Sequence, residues 1–198
     1  MTGRRVMTKP RALSLVLGLL ATVGVGALRP ARATVYFARD EALEMAFPKG
    51  TTVERRTVFL TEAQLAEVKG RTGDEPASKM FSYYRGVAPD GAVVGYAVVD
   101  SRVVRTMSEA LLIVLAPNGE VQRVVLLAFH EPPEYGPSEK WLSQFGGRRA
   151  TGDAWRVGHD VHGIAGATLT AHAARDAVSQ VVVLHKLVMA PEEVALGR

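Results

Sequence analysis

Four runs of β-branched and aromatic residues, Met80 to Val87, Val93 to Ser101, Glu109 to Ala116 and Glu120 to Phe129, follow one another closely along the chain. Pro89-Asp90-Gly91 separates the first two, and Pro117-Asn118-Gly119 separates the last two. Connections this short join antiparallel neighbours, because a parallel return needs a crossover of a dozen or more residues. The central element is therefore an antiparallel sheet.

Helical spacing flanks these strands on both sides. Ala42, Leu43, Ala46 and Phe47 predict a short helix from Phe37 to Phe47, which Pro48 and Gly50 end. Val53 to Leu60 reads as a further strand, and Thr61 with Gln64 forms a Thr-x-x-Gln capping box that opens a second helix. Gly70 to Lys79 reads as a polar loop. Glu139 to Phe145 reads as a short helix, and Leu169 to Met189 as a long one with Ala174, Val178, Val181, Leu184 and Val188 on one face. The predicted class is α+β: an antiparallel sheet flanked by helices, with a long C-terminal helix.

Charge divides the chain at its start. The overall balance is +4 and the pI near 9.6, but residues 1–33 hold Arg4, Arg5, Lys9, Arg11, Arg29 and Arg32 and no acid. Removing those six leaves 18 basic against 20 acidic residues, a balance that argues against a nucleic-acid binder. The leader combines this positive charge with the apolar run Ala12 to Leu28 and the small-residue signal Ala31-Arg32-Ala33. Residues 1–33 thus read as a signal peptide, or as an N-terminal membrane anchor, ahead of one domain over 34–198. N-terminal sequencing of exported protein is expected to begin at Thr34. A chain that begins at Met1 and stays with the membrane through a salt wash identifies an anchor instead. The absence of cysteine removes disulfides, thiolate metal sites and iron–sulfur ligation.

The stretch GHDVHGIAGATLTAHAARDAV, from Gly158 to Val178, carries the chemistry. It puts Thr168 at or just before a helix N-terminus, where unpaired N–H groups and the helix dipole favour an anion. Gly163 and Gly166 give the backbone freedom to bend and approach a ligand. The plainer reading makes Thr168 or Thr170 an N-cap. His159, His162 and His172 raise a metal reading, which no fixed ligand spacing supports beyond the H-x-x-H pair.

Within this stretch, GIAGATLTAHA resembles the flavinylation motif of the FMN-binding domain family, which includes the C subunit of sodium-translocating NADH:quinone reductase and the G subunit of the Rnf complex. That pattern is Asp-x-x-Ser/Thr-Gly-Ala-Thr, usually followed by x-Ser/Thr. Gly166, Ala167, Thr168 and Thr170 match it, while His162 stands at the Asp position and Ala165 at the Ser/Thr position. FHEPPEYGPSEKWLSQFGG also resembles the family's H-x-E-T-P-G segment, through His130, Glu131, Pro133 and Gly136. The resemblance implies FMN bonded through its phosphate to Thr168 by an FMN transferase, with His130 and Glu131 beside the flavin. It further implies a periplasmic place, or one on the outer face of the cytoplasmic membrane, with membrane electron-transport components as partners. Flavin suits a chain without Cys, since it takes one or two electrons without thiolate ligands. A redox carrier is expected rather than a free-standing enzyme. The alternative is a flavin-free binding or assembly module of the same fold.

Overall fold

The computed structural model describes residues 34–149 and 155–195. The leader, with its expected cleavage point, lies outside them. Six strands form one antiparallel sheet: β1 (Thr34–Val35), β2 (Thr52–Phe59), β3 (Met80–Val87), β4 (Val93–Val103), β5 (Ser108–Leu115) and β6 (Val121–Phe129). Their spatial order is β1-β6-β5-β4-β3-β2. Helices α1 (Arg39–Ala46), α2 (Glu62–Thr72), α3 (Glu139–Leu142), α4 (Thr168–Leu184) and α5 (Ala190–Ala195) complete the architecture. The α+β class and the long C-terminal helix are thus as the patterning predicts.

Both Pro-x-Gly turns form tight hairpins. Gly91 and Gly119 take φ of +86° and +80°, a left-handed conformation that only glycine adopts without steric cost. Gly119 has a second constraint, because a Cβ there would stand 2.5 Å from Nδ1 of His185. The His185 ring packs edge-on to Tyr96, and its Nε2 donates to the Pro117 carbonyl at 3.1 Å.

The two faces of the sheet are covered differently. One packs Tyr83, Tyr96, Val98, Leu111, Ile113 and Leu115 against Ala174, Val178 and Val181 of α4 and Leu65 and Val68 of α2. The other packs Ala97, Leu112 and Val114 against Ala42 and Ala46 of α1. Leu111 to Leu115 are each at most 1% exposed, because β5 is covered on both faces. Its sequence is accordingly an unbroken apolar run instead of an alternation.

Most element ends shift by a residue or two from the sequence reading, and four differences carry a physical reason or add an element. The helix predicted to end before Gly70 runs to Thr72 and stops at Gly73, whose φ is +79° and whose N–H bonds Lys69 O at 2.8 Å. One internal glycine costs a helix only about 1 kcal/mol, so Gly70 does not break it. β4 extends two residues past Ser101. The last long segment begins at Thr168 and is α-helical only to Leu184, becoming a π-turn over His185–Met189. β1 adds a strand too short for periodicity to mark, paired through Thr34 with Phe129 and Val35 with Ala128. The capping box at Thr61 and Gln64 is present in both directions. Thr61→Ala is expected to lower stability by about 1 kcal/mol, read as a drop in the urea midpoint without a change in slope.

Candidate functional site

Residues 166–170 turn from loop into helix. Gly166 has φ +74° with open space where a Cβ would be, so the position needs glycine for its conformation and not for close packing. Ala167 N–H bonds Ile164 O at 3.0 Å, and Ala171 N–H bonds Ala167 O at 3.2 Å. Ala167 is thereby the N-cap of α4, and no side chain caps the helix. The capping role expected of Thr168 or Thr170 is corrected. Thr168 is the first helical residue and exposed, while Thr170, two residues on, is 1% exposed. The first-turn N–H groups are left for water or a ligand.

These residues line a surface cleft of about 270 Å³ together with Val104, Arg105, Glu131 and Tyr135. Two segments far apart in sequence, the one at Glu131 and the one from Gly166 to Thr170, therefore meet. Glu131 is anchored from below. One carboxylate oxygen accepts the Thr106 N–H at 2.7 Å, the Met107 N–H at 2.8 Å and the Thr106 hydroxyl at 3.3 Å. These donors, the Thr106 N–H foremost, hold its carboxyl below the usual carboxylate range. The same bonds fix the hairpin between β4 and β5 that presents Val104 and Arg105.

The other predicted site residues are not in the lining of this cleft. His130 uses Nδ1 to donate to the Ser108 carbonyl at 3.0 Å and is not among the cleft's lining. His162 is exposed, its N–H bonded to Gln144 Oε1 at 2.7 Å and its carbonyl to Trp141 Nε1 at 2.9 Å. It too lies outside the lining, as does Gly163, which has no left-handed φ. Gly163 is therefore not a conformational requirement of the site. Among the described residues no group of three or more His, Asp or Glu side chains converges to hold a metal. None of their helices is long and apolar enough to cross a membrane.

Val104, Arg105, Tyr135 and Leu169 are cleft residues that the sequence reading passed over. Arg105 lies in a hairpin without Gly or Pro, so no turn signal marked it. A larger cleft of about 620 Å³ between α1, β6 and α3 holds Tyr36, Phe37, Met45 and Leu142 but none of the residues selected from sequence.

The smaller cleft lies just under the range of about 300–1,000 Å³ usual for small-molecule sites. It suits a ligand held in part and anchored at one point. Arg105 supplies a cation for a phosphate, Glu131 an acceptor for N–H groups, and Val104, Tyr135 and Leu169 apolar surface. Those chemistries fit FMN attached at the exposed Thr168 hydroxyl. The chain matches no family model, no curated protein and no solved structure.

Proposed function

We propose that this chain is an exported flavoprotein that carries FMN on Thr168 and passes electrons between a membrane donor and an extracytoplasmic acceptor. The observation that carries the reading is the cleft itself. The motif residues Gly166, Ala167, Thr168 and Thr170 and the separately selected Glu131 share its lining. Thr168 stands there as an exposed hydroxyl on the first turn of α4, a 17-residue helix. Its dipole and free N–H groups favour the phosphate of a bound nucleotide.

Attachment by a transferase that uses FAD forms a bond between Thr168 Oγ and phosphorus and breaks the FAD pyrophosphate bond. AMP leaves, and the hydroxyl gives up its proton. Once bound, the flavin supplies one- or two-electron chemistry, and the chain's residues position it. Arg105 would offset the charge of a phosphate in the cleft, and Glu131, which holds the hairpin wall, would offer an acceptor. The departures at His162 and Ala165 fall outside the cleft lining, and their expected effect is on recognition by the transferase.

Protein expressed with the transferase is expected to purify yellow, with a flavin absorbance that survives denaturation. Colourless protein, still colourless after incubation with free FMN, contradicts the reading and favours the flavin-free module.

A further inference from the structure

One rung from the hairpin that lines the cleft stands a carboxyl group without a hydrogen-bond partner among the described residues. Glu109, second residue of β5, is 1% exposed, and neither of its carboxylate oxygens has a hydrogen-bond partner among the described residues. Arg102 of β4 stands opposite it in the ladder, but that guanidinium is engaged elsewhere. Nε and Nη2 donate to Asp100 at 2.7 and 2.9 Å, Nη2 reaches Gln180 Oε1 at 3.4 Å, and Nη1 lies 3.6 Å from Asp74.

The charge around it is mixed, with Arg102 attracting an anion and Asp100 opposing one. β4 presents Arg102 and Asp100, and α4 presents Asp176 beside Arg175 and His172. Asp74 joins from the segment after α2, and β6 places Phe129 opposite Glu109. Burial pushes the Glu109 carboxyl up to about 8, against the pull of Arg102. A buried polar group left without a partner calls for a functional or structural reason.

Its position supplies one. The next rung of the ladder, Val103 with Ser108, closes the hairpin that carries Val104 and Arg105. Val104 lies two residues beyond Arg102, and it lines the cleft. Negative charge added in the cleft would act on Glu109 across this end of the hairpin, through protein that screens charge less than water does.

We propose that Glu109 is the proton-accepting group coupled to reduction of the cofactor in the cleft, taking one proton from water as electrons enter. This rests on the flavin reading of the same site. The reductant is oxidised and the cofactor reduced, while the new O–H bond forms on the Glu109 carboxylate and hydroxide is left to the solvent. Below about pH 8 Glu109 is protonated in both redox states, so the extra proton is taken up only in a window that opens there and closes at the higher value Glu109 takes in the reduced protein.

The test is a redox titration of the flavin-loaded protein with dithionite and mediator dyes, repeated from below to above pH 8. The parent is expected to take up as much as one extra proton per reduction in a pH window that opens at about pH 8 and closes at a higher pH. Glu109→Gln, nearly isosteric and always neutral, should lose that step, and Glu109→Asp should keep it at a shifted pH. Infrared difference spectra at alkaline pH should show a protonated carboxyl band appearing on reduction in the parent and absent from Glu109→Gln. A loaded parent without the extra proton, or a Glu109→Gln protein that keeps it, overturns the proposal alone. A protein that takes up no flavin at all overturns the functional reading, and this proposal with it.

Discussion

Thr168→Ala protein, expressed with the FMN transferase and passed through gel filtration in denaturant, is expected to carry no flavin at all. The loss is complete because the substitution removes the oxygen that would form the phosphoester, leaving nothing at that point to replace it. Thr170 has a hydroxyl too, but it is 1% exposed on the buried side of α4. Thr168→Ser restores a hydroxyl at the first helical position and should recover part of the adduct. Thr170→Ala should leave the adduct in place. Covalent flavin that persists in Thr168→Ala sinks the assignment, and peptide mapping would then locate the true attachment point.

Glu109→Gln is expected to stabilise the fold at alkaline pH by on the order of 5 kcal/mol relative to its effect at pH below the normal glutamate value. In the unfolded chain a glutamate titrates near about 4.3, whereas burial raises Glu109 to about 8 in the folded protein. Between those values the folded state holds a proton that the unfolded state has released. Stability from this group is therefore highest below the unfolded value and declines as pH rises to about 8, after which it is level. Gln cannot ionise and escapes that decline. Asp176 is also raised by burial, but it is present in both proteins and drops out of the comparison. Urea midpoints of parent and variant should diverge across this window, and a constant gap would show that Glu109 is not buried as a neutral acid.

Much of the scaffold was legible because its signals are local. The Pro-Asp-Gly and Pro-Asn-Gly turns announce hairpins by the left-handed glycine they need, and the Thr61–Gln64 box announces a helix start by the backbone groups it satisfies. What depended on tertiary contact was not legible. β1 exists because two residues find the edge of β6, and the hairpin between β4 and β5 has no Gly or Pro to mark it. The burial of Glu109 contradicts its residue type and follows only from the helix laid over β5.

The site divides along the same line. Gly166, Ala167, Thr168 and Thr170 were selected as one contiguous motif and stay together, and Glu131 joins them through its bonds to Thr106 and Met107. His162 was selected by its place in the motif, yet Gln144 and Trp141 hold its backbone outside the cleft lining. His130, next to Glu131, is drawn instead to the Ser108 carbonyl. His130 and Glu131, adjacent in the segment after β6, thus turn to different partners, the Ser108 carbonyl and the Thr106 and Met107 N–H groups.

The most direct measurement of the central claim is the intact mass of the protein expressed with and without the FMN transferase. Covalent attachment predicts a single increase, equal to one FMN less one water, that appears only with the transferase and maps to the peptide containing Thr168. Identical masses from the two preparations would contradict covalent attachment at this site.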